Sequence, residues 1–198
     1  MVVGELVFHH LQRNNLMLNY TVESDFIYEN HRCVVIFGSN GYRCGYVGVD
    51  ENSPLYGMNT SDCIEVDMNE FRKEPLGKRG VLAVLSLAFR DEQDSVPLSA
   101  YFDVHGGITY AAGDFYYPVK SMYWWFGFDC GHNNDGIDLD TVKENWGRNP
   151  IIMNSVRILE KCNPYRDFPV RSKEYCEEEC KSLANQIIKI EHKLKLSH

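Results

Sequence analysis

The sequence predicts an α+β fold, a mainly antiparallel, meandering sheet with one long C-terminal helix in a single domain. Strand-like runs separated by Gly- and Asn-bearing turns succeed one another from residue 26 to residue 135. One sustained helical periodicity occupies residues 172–196. A length of 198 residues suits one well-buried core and is short for two.

Residues 1–25 form an N-terminal segment of no clear type, because the apolar Leu6-Val7-Phe8 is soon followed by Asn14-Asn15. Residues 25–29 and 33–37 read as a hairpin around Asn30-His31-Arg32. Gly38-Ser39-Asn40-Gly41 contains the Asn-Gly pair typical of tight hairpins, and residues 42–49 return as a strand. Alternation puts Tyr42, Cys44 and Tyr46 on one face of it and Arg43, Gly45 and Val47 on the other. Residues 50–56 contain Asn52-Ser53-Pro54 and read as a loop. Residues 63–68 read as a short strand, and the apolar run 80–89 fits a central buried strand and, less well, a buried helix. Residues 99–104 and 108–112 read as strand arms around His105-Gly106-Gly107. The most aromatic strand is 121–130, with Trp124, Phe126 and Phe128 facing one way and Trp125, Gly127 and Asp129 the other.

Helix comes late. Residues 138–145 predict a short one. In the long one Cys176, Cys180, Leu183, Ile187, Ile190 and Leu194 recur at spacings of four and three, which makes a single apolar stripe. Ser172 suits the N-cap, and Glu174, Glu177, Glu178 and Glu179 suit the first turns. The stripe has two readings: packing on the sheet, or a coiled-coil-like seam joining subunits of a homo-oligomer.

With 20 Lys and Arg against 28 Asp and Glu, the net charge is −8. Binding to duplex nucleic acid depends on neutralising phosphates, so that class is disfavoured. Seven cysteines, an odd number without a C-x-x-C pair, predict reduced thiols of an intracellular protein. The start MVVGELVFHH lacks the pattern of a signal peptide, and no run reaches membrane-spanning length, so neither membrane nor export is expected.

Two segments concentrate polar side chains beside turns. In the first, Gly106 and Gly107 shape a tight turn that presents Asp103 and His105 to a ligand. In the second, the aromatic strand carrying Trp125 runs into Asp129, His132 and Asp135, so polar groups converge beside ring walls. The turns 105–107 and 131–133 are expected to meet at one end of the sheet. Residues 42–56 join them as a third wall, with Tyr42 and Tyr46 for stacking, Arg43 for a phosphate or carboxylate, and Tyr56 on a loop that lids the pocket. His105, Asp129, Cys130, His132 and Asp135 are all potential metal ligands. The motifs of zinc proteases, zinc deaminases, serine hydrolases and P-loop enzymes are missing, so neither a metal nor another cofactor is predicted, and no residue is assigned a catalytic role.

The blocks YRCGYVGV (42–49), PLYG (54–57), DVHGGITY (103–110), WWFGFDCGH with the following NND (124–135) and YCEEECKSLANQI (175–187) resemble, in that order, a family of bacteriophage and prophage proteins. Gly131 departs from the Ala of many members. The resemblance implies a phage protein in the host cytoplasm, and by analogy an anti-defence sponge of the anti-CBASS or anti-Thoeris kind. Such a protein sequesters a small nucleotide signal, a cyclic dinucleotide or an ADP-ribose derivative. Two other readings stand beside it. One is a metal-dependent hydrolase using His105, Asp129, His132 and Asp135. The other is an interaction module that inhibits a host enzyme through its acidic surface and late helix.

Overall fold

The computed structural model describes residues 19–67, 71, 77, 95–132 and 134–196. The expected strand at 80–89 and most of the N-terminal segment lie outside them. An antiparallel five-stranded sheet runs in the order β1 (Tyr20–Tyr28), β2 (His31–Gly38), β3 (Arg43–Val49), β7 (Trp124–Asp129) and β6 (Tyr110–Ala112). A second, two-stranded sheet pairs β4 (Cys63–Glu65) with β5 (Ser95–Pro97). Four described helices complete the chain: α1 (Leu98–Tyr101), α2 (Leu139–Trp146), α3 (Pro150–Cys162) and α4 (Lys173–Leu196).

The expected α+β class therefore holds, with differences in detail. The first hairpin turns on Glu29 and Asn30, both at positive φ, as a two-residue turn matched to strand twist demands. Strand β1 starts at Tyr20, well inside the segment set apart as N-terminal, and a register shift between Val22 and Ser24 interrupts its alternation. The meander stops after β3: strand β7 pairs with β3, and β6 lies at the far edge of β7. Residues 99–104, expected as strand, are a single helical turn followed by bends. Pro97 ends the β4–β5 pairing at this point, and its φ of −65° leads into the helical turn. Helix α3 was not expected.

Each sheet face has its own cover. On one, Cys33, Val35, Val47, Phe126 and Phe128 meet Cys176, Cys180, Leu183, Ala184, Ile187 and Ile190 of α4, all almost fully buried. The helix comes close because β3 carries Gly45, where a methyl group would lie 2.3 Å from the Phe128 ring and 2.7 Å from Cys180 Sγ. Each buried Leu or Ile of the stripe contributes about 1.5–3 kcal/mol of transfer free energy. The stripe is thus spent on the sheet, and the subunit seam read from its spacing loses its surface. On the other face Val34, Ile36, Tyr46 and Trp125 lie under Tyr20, Tyr110 and Tyr117. Helices α2 and α3 pack Val142 and Val156 against Phe37, whose ring stacks on Trp146 at 5.9 Å. No described helix is long and apolar enough to cross a membrane.

Candidate functional site

At the Asp129 end of β7, two turns face each other across the start of α4. One contains His105, Gly106 and Gly107, with both glycines at positive φ, +68° and +84°. The Gly107 N–H donates to the Val104 carbonyl at 2.9 Å and closes the turn. Gly106 is required twice over, by its φ and by proximity, since a methyl group there would lie 1.9 Å from His132 Cε1. The other turn runs from Asp129 to Asp135. Asp129 Oδ1 accepts the Gly131 N–H at 3.0 Å, and its Oδ2 accepts the Thr109 hydroxyl at 3.0 Å. Asp135 Oδ2 accepts the His132 N–H at 3.1 Å.

The two turns bring His105, His132 and Asp135 together, with one donor atom from each lying within 4.8 Å of the others. His105 Nε2 lies 2.8 Å from Asp135 Oδ2, and its Nδ1 lies 3.0 Å from the Tyr175 hydroxyl. The imidazole rings of His105 and His132 meet edge to face at 5.3 Å. His132 Nδ1 lies 3.6 Å from Asp135 Oδ2 and 4.0 Å from Asp129 Oδ1. It is a buried nitrogen without a hydrogen-bond partner among the described residues, although the ring as a whole is partly exposed.

Asp135 is buried, with its side chain 1% exposed. Burial pushes its carboxyl pKa up, but hydrogen bonds from Arg171, His105 and the His132 N–H outweigh that and hold it below the usual range. Arg171 Nε donates to Asp135 Oδ1 at 2.7 Å, and its guanidinium lies 5.0 Å over the Tyr175 ring. Burial raises the Tyr175 hydroxyl to about 12, so it serves as a neutral hydrogen-bonding partner of His105. Glu179 Oε2 accepts the His105 N–H at 2.9 Å and ties that turn to α4.

The residues singled out from sequence divide into those at the cluster and those elsewhere. His105, Gly106, Gly107, Asp129, His132 and Asp135 assemble as expected, and the half-buried Tyr42 ring lies against Gly131 beside them. Asp103 turns away: its carboxylate packs at Gly77 and its N–H donates to Gln186 Oε1 at 2.8 Å. Trp125 is 0% and Tyr46 4% exposed, both in the core under the opposite sheet face, so neither can stack on a ligand. Tyr56 is partly exposed but leans on Trp124, at the far end of β7 from the cluster.

Arg43 is also spent inside the fold. Its Nε and Nη2 donate to the two oxygens of Glu23 at 2.7 and 3.0 Å. Its Nη1 donates to Asp138 Oδ2 and to the Arg171 carbonyl, each at 3.0 Å. It supports the backbone from which Arg171 projects and offers no fork to a phosphate. Sequence reasoning missed Arg171 and Tyr175 altogether and read Glu179 only as a dipole residue. Tyr175 and Glu179, one turn apart on α4, carried a readable signal in their spacing of four; Arg171 precedes the helix and carried none.

Comparison with family models, curated proteins and solved structures finds no match for this chain.

Proposed function

We propose that the protein is a metal-dependent hydrolase whose ion is held by His105, His132 and Asp135. The observation that carries this reading is the convergence of two imidazoles and one carboxylate on a common point, with His132 Nδ1 buried there and lacking a hydrogen-bond partner among the described residues. Around a tetrahedral ion with bonds of about 2.0–2.2 Å, neighbouring donors sit roughly 3.4 Å apart. The separations of 2.8 and 3.6 Å from Asp135 Oδ2 bracket that value. Tyr175 on His105 Nδ1 and Arg171 on Asp135 supply the outer partners that orient metal-binding side chains.

Three protein donors leave a coordination position for water, the arrangement of catalytic sites as opposed to structural ones. The ion would lower the pKa of that water toward neutrality and polarise the bond under attack. Asp129, half-exposed at the rim and 4.0 Å from His132 Nδ1, is the carboxylate placed to take the water's proton. Elemental analysis of protein purified without chelators, followed by titration with zinc, manganese and cobalt, tests this. One ion per chain in the wild type and none in His132→Ala or Asp135→Asn is expected. If the wild type takes up none of the three, the proposal fails.

The nucleotide-sequestering reading, with a phage protein acting in host cytoplasm, has the rim as its support. The half-exposed Tyr42 ring beside Gly131 and His132 is a surface on which a base can stack. Incubation of the metal-loaded protein with cyclic dinucleotides and ADP-ribose isomers separates the two. Altered nucleotide marks a hydrolase, and intact nucleotide recovered after heating marks a binding protein.

A further inference from the structure

We infer that the group bound beside the metal is an oxyanion, gripped by the terminal nitrogens of Arg171; this rests on the metal reading above. Arg171 is built into the site from three sides. Its Nε is used by Asp135 Oδ1 at 2.7 Å, the Tyr175 ring supports its plane at 5.0 Å, and Arg43 holds its backbone carbonyl at 3.0 Å. Its side chain keeps 26% exposure. The two terminal nitrogens make no hydrogen bond among the described residues. They form a planar fork matched to the two oxygens of a phosphate or carboxylate. A guanidinium fixed in place before the ligand arrives spares most of the ordering cost of binding.

Charge points the same way. Arg171 and Asp135 neutralise each other, so a divalent ion on Asp135 leaves a positive surplus at the metal's open side. In formal charge Asp129, at the rim, and Glu179, behind the His105 N–H, balance that surplus, so the attraction for an anion is local, at the ion and the fork. An anion that bridges ion and fork uses both. Without the metal only the fork remains, beside a carboxylate that already claims its charge. Anion binding and metal binding are therefore linked.

The test uses the full chain loaded with Co2+, whose visible spectrum reports its coordination, with inorganic phosphate and acetate as probes. Phosphate, acetate or both should shift the Co2+ spectrum and bind the loaded protein at least tenfold tighter than the metal-free protein. The tighter probe identifies the natural group as phosphate-like or carboxylate-like. Arg171→Lys keeps a charge near Asp135 but loses the fork. It should weaken anion binding tenfold or more, measured at saturating Co2+ because Arg171 also orients Asp135 and its replacement should lower Co2+ affinity by up to about 10–100-fold. If neither anion binds loaded protein, or if Arg171→Lys binds as the wild type does, the inference is overturned although the metal site stands. Absence of Co2+ uptake overturns the metal reading and the inference together.

Discussion

Gly106→Ala separates the shape of the site from its chemistry. The new methyl would sit 1.9 Å from His132 Cε1, whereas ordinary contact begins at 3.4 Å, so the ring must retreat by about 1.5 Å. Metal–ligand distances tolerate roughly 0.2 Å, so a ring displaced that far no longer binds the ion. Loss of an outer partner already weakens metal binding by about 10–100-fold, and loss of one of three ligands should cost at least about 100-fold. Alanine at a φ of +68° adds about 1–2 kcal/mol of backbone strain. Zinc affinity from competition with a chromophoric chelator, and stability from urea denaturation, measure the two effects separately. In a His132→Ala background the ring clash is gone, so Gly106→Ala should then cost only the strain. Zinc affinity within threefold of wild type in Gly106→Ala would refute the reasoning, because His132 would then not be a ligand.

Arg43→Ala leaves the Glu23 and Asp138 carboxylates without their buried partner and should lower stability by about 3 kcal/mol, near 10 °C in Tm. An unchanged Tm by calorimetry would restore Arg43 as a ligand residue. Ile187→Ala opens a cavity between α4 and the sheet and should cost about 2–5 kcal/mol without changing the sedimentation coefficient. A fall in apparent mass would favour the subunit seam instead. The Glu191 carboxylate, 3.7 Å from His31 Nε2, raises the His31 pKa, and burial opposes it without cancelling it. A raised folded pKa means that this stabilisation is complete below about pH 6.5 and is lost as the pH climbs through the raised value. Urea midpoints of wild type and His31→Gln should therefore converge from about pH 6 to pH 9, and a gap independent of pH would contradict the pairing.

Periodicity made β2, β3 and β7 legible, because their alternation is regular and each side of it faces a core. In β1 the register shift between Val22 and Ser24 breaks the period-two pattern, which hid the first residues of that strand. Helix α3 carried a readable start in Asn149-Pro150: the Asn149 side chain accepts the N–H groups of Ile151 and Ile152. Its outward Ile151 and Ile158 blurred the stripe. At the site, His105, His132 and Asp135 could be found because turn glycines and polar residues cluster near them in the chain. Alternation tells which way Arg43, Tyr46 and Trp125 face but not what is waiting there. The acids that claim Arg43 stand 20 and 95 positions away. Arg171 reaches Asp135 from 36 positions downstream, beyond anything that local spacing reveals.

The strand order has a consequence for how the chain is made. Strands β1 to β3 are neighbours in sequence and can pair as soon as they emerge, whereas β7 must add to the open edge of β3 about 75 residues later. The face of β2 and β3 that α4 covers stays bare until residues 173–196 arrive. During synthesis a half-built sheet with one unpaired edge and one wet apolar face precedes the finished molecule. His105, His132 and Asp135 meet only after β7 is seated, and Tyr175 and Glu179 of α4 reach His105 later still, so the site should form among the last contacts of folding, and uptake of the proposed metal would report its completion.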